Sequence, residues 1–245
     1  MRSIGEIVKA VLRGAGIQAY SWKNLPWGIS MERDLQRIHA EIAKPLLIDV
    51  GANVGQTALR FHRALPQAEI WCFEPVPSVF EELCSKTRHI QSIACERKAV
   101  GASNGLAWMM VGCNSEEGKI VDDTVVQAKD RVQVPLITID SFLAEKGIGH
   151  VHLLKTDCEG FDLDALRGAT TSLSAGAITS VLCEVTLNEK SFHSKFHQLD
   201  EFLRSKGFFF FAFYDYNGWG RFHSEGQFHN ALWLRREQGG FAVEM

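Results

Sequence analysis

The run Leu46-Leu47-Ile48-Asp49-Val50-Gly51-Ala52-Asn53-Val54-Gly55 constrains this chain more than any other segment. A nearly continuous apolar stretch of this length reads as a strand buried on both faces, the mark of a parallel sheet covered by helices. The glycines that follow permit a tight strand-to-helix turn and the close approach of a ligand, because neither carries a Cβ. The helix beyond them starts with free N–H groups.

The alternation then repeats along the chain. Residues 68–73, 151–156 and 178–185 read as further buried strands, and 93–100 as a more mixed one. Helices are expected around 56–65, after a capping box at Ser78-Val79-Phe80-Glu81, from Asp140 to Gly147, across 161–167, and along the stripe Phe192, Phe196, Leu199, Phe202, Leu203. Residues 106–111 and 131–134 are expected to pair, with the polar stretch between them as a surface loop. The last two strands, 208–214 and 231–235, are joined without a long helix and so should be antiparallel. The expected class is α/β, a doubly wound Rossmann-like sheet, mostly parallel, with a C-terminal antiparallel strand pair. Residues 1–45 read as an N-terminal helical extension, with Ser30 capping its second helix, and 46–245 as one domain.

Composition narrows the partners. A formal net charge of −3 without any Lys/Arg run argues against nucleic-acid binding by bulk charge. Six cysteines without a C-x-x-C pair point to free thiols in a reducing, cytoplasmic compartment. No apolar run reaches the ~18 residues of a transmembrane helix. Glu6, Lys9 and Arg13 interrupt the apolar N-terminus, which argues against a signal peptide. Ile4, Ile7, Val8, Val11 and Leu12 recur instead at helical spacing, as in an amphipathic helix. Such a helix packs on the domain, or serves a membrane surface or an acceptor.

The candidate site lies at strand ends. Asp49-x-Gly51-x-x-x-Gly55 departs from the G-x-G-x-x-G of dinucleotide binders, and a carboxylate there is a poor neighbour for pyrophosphate. It suits a cofactor with a positive sulfonium and an amino group. Glu74 ends the second strand about 20 residues on, where an acidic side chain accepts ribose hydroxyls. Asp157 and Glu159 follow the strand at 151–156, where they could bind an amino group, accept a proton, hold a metal, or simply favour a helix N-terminus. Glu184 ends the neighbouring strand. No metal-ligand set is assigned. His193 and His197 lie four apart, a spacing that reads as surface histidines on one helical face. His223 and His229, with Tyr216, Trp219 and Phe222, read as a surface hairpin or the cap of an acceptor site; His150 and His152 read as structural.

Five segments together resemble the FkbM-type methyltransferases: residues 48–55, Phe73-Glu74-Pro75, Thr138-Ile139-Asp140, Lys155-Thr156-Asp157-Cys158-Glu159-Gly160 and Cys183-Glu184-Val185. The resemblance covers roughly residues 20–235, and Lys-x-Asp-x-Glu-Gly with the upstream Thr-Ile-Asp is its most specific part. It implies a class I methyltransferase fold, S-adenosylmethionine as cofactor, and O-methylation of a small-molecule or glycan hydroxyl on a sugar, glycolipid or polyketide. By the same analogy Asp49, Gly51 and Asn53 line the methionine end beside Gly55, Glu74 holds the ribose, and Ala99 meets the adenine. A base among Asp157, Glu159 and Glu184, or a histidine, would take the acceptor proton. Cys158 departs from the Val-like residue frequent in that family. An NAD-dependent oxidoreductase and a non-catalytic nucleoside-binding module are the competing readings; against the first stand the missing G-x-G-x-x-G and the absence of a Tyr-x-x-x-Lys pair.

Overall fold

The computed structural model describes residues 4–111, 118–121, 131–191, 193–217 and 228–236. Through these the chain runs α1 (Ile4–Gly14), α2 (Met31–Ile38), β1 (Leu46–Val50), α3 (Gln56–Ala64), β2 (Glu69–Phe73), α4 (Pro77–Thr87), β3 (Ile93–Glu96), β4 (Ala99–Val100), β5 (Gly105–Val111), β6 (Gly118–Val121), β7 (Arg131–Ile137), α5 (Ile139–Lys146), β8 (Leu153–Thr156), α6 (Asp162–Arg167), α7 (Thr170–Ala175), β9 (Ser180–Thr186), α8 (Phe196–Ser205), β10 (Phe208–Asn217) and β11 (Phe228–Arg235).

Seven strands form the central sheet in the order β10-β11-β9-β8-β1-β2-β3. From β9 to β3 neighbours are parallel, and β11 and β10 add an antiparallel pair at the edge. This is the class I methyltransferase arrangement. Strand order reverses between β1 and β8, so a crevice opens beyond their carboxyl ends. The strands are apolar on both faces because helices cover both. Ile48, Phe73, Leu154 and Trp233 pack with α5 to α8 on one side, and Leu47, Ile70, Leu153 and Leu182 with α2 and α3 on the other.

Four departures from the sequence reading have physical causes. The stretch 93–100 divides into β3, at the edge of the central sheet, and β4, which pairs with β7 in a second sheet of order β4-β7-β5-β6. The paired strands expected at 106–111 and 131–134 are present as β5 and β7. However, β6 lies inside the stretch read as loop, whose remainder is outside the described residues. α4 starts at Pro77, with Val76 as its cap residue, so Ser78 sits inside the helix and forms no capping box. Proline's fixed φ and missing N–H make it the favoured first residue. α8 starts only at Phe196, so His193 precedes it and shares no helical face with His197; Phe192 lies outside the described residues.

Within residues 1–45, Ser30 caps α2 by accepting the N–H of Arg33 at 3.3 Å. α2 packs on the sheet through Met31 and Leu35, and its buried Asp34 accepts from Tyr214 Oη at 2.7 Å and from Gly28 N–H at 2.7 Å. α1 buries no side chain among those described. Thr138 caps α5, and Asp140 reaches across to cap α7, accepting from the N–H groups of Thr171 and Ser172. The Thr-Ile-Asp segment therefore fastens two helices together.

Candidate functional site

The cleft at the carboxyl ends of β1, β2 and β8 is floored by Val50, Gly51 and Asn53, walled by Glu74, Ala99, Asp157 and Glu159, and roofed by Met109 of the second sheet. The glycine turn that forms its floor is built by steric necessity. Gly51 has φ +72°, and a Cβ there would lie 1.9 Å from the carbonyl oxygen of Asp157. Gly55, at φ +93°, begins α3 with little room beside Leu83. Asn53 also takes the left-handed region, at φ 48°. Asparagine tolerates this because its short side chain bonds locally, here accepting the N–H of Val54 at 2.7 Å.

The N–H groups of this turn are spent inside the chain. Gly51 and Ala52 donate to the Phe73 carbonyl, Gly55 to that of Ala52, Val54 to Asn53 Oδ1, and Asn53 to Glu74 Oε2 at 3.1 Å. A dinucleotide-binding turn keeps such donors for pyrophosphate; here each of the five has a protein acceptor. Glu74 is buried, and its other oxygen accepts from Val76 N–H at 2.9 Å. Burial raises its pKa, while those backbone donors hold it back. Each carboxylate oxygen keeps a lone pair for a ligand hydroxyl.

Asp49 stands apart from the expected lining. Its carboxylate is fully buried behind the cleft wall, 2.8 Å from Lys155 Nζ. Lys155, also buried, donates to the Gly51 carbonyl at 3.3 Å and lies 3.5 Å from Asp157 Oδ2. Burial opposes charge on the lysine, but the carboxylates of Asp49 and Asp157 outweigh it and hold the ammonium protonated. Lys155 thus ties the first strand, the glycine turn and Asp157 together, a role the sequence reading missed. The signal was present: Lys155 and Asp49 are charged residues inside buried runs, on adjacent strands, and in register. Gly55 likewise supports the turn from outside the lining, whereas Gly51, Asn53, Glu74, Ala99 and Asp157 all face the cleft.

Glu159 has φ 49° and is followed by Gly160 at φ 98°. This places the Glu159 side chain beside His193, whose Nδ1 lies 3.7 Å from Glu159 Oε2 and 3.4 Å from Glu184 Oε2. His193 is buried, with its ring 3.9 Å from that of Phe228. The segment bearing it is fixed by Ser194 Oγ, which donates to the buried Asp162 at 2.8 Å, and by Lys195 Nζ, which donates to the Asn188 carbonyl. Burial, with the nearby carboxylates of Asp157, Glu159 and Asp162, pushes Glu184 up to about 8. The structure therefore joins two expected carboxylates through a histidine that sequence spacing had placed on the surface; the exposed His197 meets only Glu189 in this respect. His229 sits buried in β11 beside Phe213, while Trp219, Phe222 and His223 lie outside the described residues. His152 accepts from the Leu46 N–H at the opposite end of the sheet. Among the described residues, no group of three or more His, Cys, Asp or Glu could hold a metal ion, and no helix is long and apolar enough to cross a membrane. Cys72, Cys84, Cys95, Cys158 and Cys183 are free thiols.

The model described as "Methyltransferase FkbM domain" matches residues 49–210. "Methyltransferase 1" of Beauveria bassiana is 26% identical over 142 residues, covering 50% of this chain and 57% of that protein. "2-O-methyltransferase NoeI" of Sinorhizobium fredii is 21% identical over 167 residues, 60% of this chain and 69% of that one. The match thus spans about six tenths of the first relative's length and seven tenths of the second's. Among solved structures, the METTL16 methyltransferase domain aligns with a TM-score of 0.49 at 12% identity, over 94% of this chain and 77% of that chain.

Proposed function

The chain belongs to the FkbM methyltransferase family, and we propose that it transfers a methyl group from S-adenosylmethionine to a hydroxyl of a small molecule or glycan. The observation that carries this reading is the glycine turn: every N–H from Gly51 to Gly55 is already bonded, while the carboxylates of Glu74 and Asp157 face the cleft. Such a cleft favours a cationic, phosphate-free nucleoside over a dinucleotide. Glu74 would hold the ribose hydroxyls, Asp157 the amino group, and Ala99 with Met109 the flat face of the base. Bound there, the cofactor supplies an electrophilic methyl group on sulfonium. The relative named as a 2-O-methyltransferase favours an oxygen acceptor.

The protein's own task is to orient the hydroxyl and take its proton as the C–O bond forms. His193 is the base in this reading, oriented by Glu184 and Glu159, with Asp157 at the cofactor side. The imidazolium formed would be stabilised by the carboxylates that flank it.

Calorimetric titration with S-adenosylmethionine, S-adenosylhomocysteine and NADH tests the cofactor assignment, with Glu74→Ala in parallel. Binding of the two methionine nucleosides, weakened by Glu74→Ala, is the expected result. Binding of NADH alone would overturn it. With binding secured, transfer of radiolabelled methyl to a panel of hydroxylated glycans and polyketides tests the acceptor class.

A further inference from the structure

Seven of the nine exposed large hydrophobic side chains among the described residues fall between Val8 and Ile29. They include Val11, 68% exposed, Trp22, 55% exposed, and Tyr20. The rest of the described surface shows such exposure only at Leu106 and Leu187. This concentration is not a scatter of single apolar residues, which would need no explanation.

The same stretch has its own charge. Residues 1–30 carry four basic residues, Arg2, Lys9, Arg13 and Lys23, and one acidic residue, Glu6, in a chain of formal net charge −3. Basic, amphipathic and aromatic together, it has the composition of a segment that lies in a lipid–water interface. Its connection to the body is fixed. Trp27 packs edge-on against Phe211 of β10, Arg37 lies over the Trp27 ring, and Gly28 N–H is held by Asp34. The segment therefore leaves the domain beside the edge strand β10, whose carboxyl end points toward the same side as the cleft.

We propose that α1 and the following residues to Ile29 dock on an anionic membrane surface, with Val8, Val11, Ile17, Tyr20 and Trp22 entering the interface and Lys9, Arg13 and Lys23 meeting lipid headgroup charge. Tryptophan and tyrosine settle at headgroup depth. Each basic residue near an anionic leaflet strengthens binding by about fivefold, so three of them distinguish anionic from neutral lipid by on the order of a hundredfold. This docking is independent of the methyl-transfer reading and stands or falls without it.

The test is co-sedimentation of the full chain with vesicles of phosphatidylcholine alone, or of phosphatidylcholine with phosphatidylglycerol, at low and high salt. Sedimentation velocity without lipid and titration with S-adenosylmethionine run alongside. Binding to the anionic vesicles only, lost in Val11→Asp, Trp22→Ala and Lys9→Glu/Arg13→Glu while nucleoside affinity and the melting temperature stay unchanged, is the expected result. Val11, Arg13 and Trp22 are exposed and Lys9 is half-buried, so the substitutions leave the core intact. Equal binding to both vesicles, or to neither, overturns the proposal. A dimer in lipid-free solution that Val11→Asp dissociates also overturns it, and assigns the face to a second copy of the chain.

Discussion

Replacing Lys155 by methionine keeps most of the side-chain volume and removes one charge from the base of the cleft. In the native protein that ammonium lies 2.8 Å from a carboxylate with no solvent exposure and reaches the Gly51 carbonyl and Asp157. Without it, Asp49 is a buried carboxylate with no cationic partner. Breaking a buried pair from one side costs about 3–5 kcal/mol. Lost support for the glycine turn adds to this, so Lys155→Met is expected near the top of that range. Asp49→Asn/Lys155→Met removes both charges and should cost less than Lys155→Met alone. Burial already raises the Asp49 pKa in the native protein, with Lys155 holding it back, so the single variant gains a steeper pH signature. Unpaired and buried, Asp49 has a folded pKa raised above its unfolded value, so the native state binds the extra proton. Stability is then highest at low pH and falls as pH rises through the folded pKa. Urea unfolding of the wild type, both single variants and the double, at pH 5 and pH 8, measures all of this. A cost below ~1 kcal/mol for Lys155→Met, or additive single costs in the double, would refute the assignment of Lys155 as a buried tie.

Gly51→Ala is expected to yield little folded protein, because its Cβ would stand 1.9 Å from a backbone oxygen. Gly55→Ala meets only side chains, Leu83 at 3.0 Å and Thr87 at 3.5 Å, and should lose ~1–3 kcal/mol, mostly for its φ; thermal melts compare the two. Glu74→Gln should weaken S-adenosylmethionine by about 10- to 100-fold in calorimetry, the loss of charged hydrogen bonds, and unchanged affinity would remove Glu74 from the site. For Glu184, pushed up to about 8, the raised pKa means that stability falls as pH rises from the ordinary carboxylate range through about 8. Glu184→Gln should remove that fall, on the order of 5 kcal/mol across the range, and an unchanged pH dependence of unfolding would contradict it. His193→Gln should lower kcat by about 10²–10⁴-fold at unchanged nucleoside affinity. The rate–pH profile should also lose the limb that rises through the titration of the His193–Glu184 pair; a retained limb would exclude His193 as base.

The parts of this molecule that were legible in the sequence are those governed by short-range periodicity. Buried parallel strands announce themselves as apolar runs, so β1, β2, β8 and β9 fall within two residues of the runs 46–50, 68–73, 151–156 and 178–185. The glycine turn was legible because a positive φ leaves few residue choices. The second sheet was not, because β4 is two residues long and is defined by its partner β7, far along the chain. The helix start at Pro77 lost to a capping-box pattern at Ser78 that a single proline overrides.

The site shows the same division more sharply. Glu74 and Asp157 were readable because position at a strand end fixes their direction. His193 was misread because an i, i+4 spacing to His197 carries meaning only inside a helix, and α8 begins three residues later, at Phe196. What places His193 is a tertiary arrangement: Ser194 fastened to Asp162 from α6, and Glu159 turned by its left-handed backbone. The carboxylates set inside buried runs carry the information that spacing lacks. Glu184 in the buried run of β9 and Asp49 in that of β1 each demand a partner, since burial of a charge is costly unless it is paired. Asking which residues answer them identifies His193 and Lys155. Charged residues inside apolar runs therefore identify the interior ties of this fold, and the Lys155 tie reaches the Gly51 and Asp157 lining of the cleft.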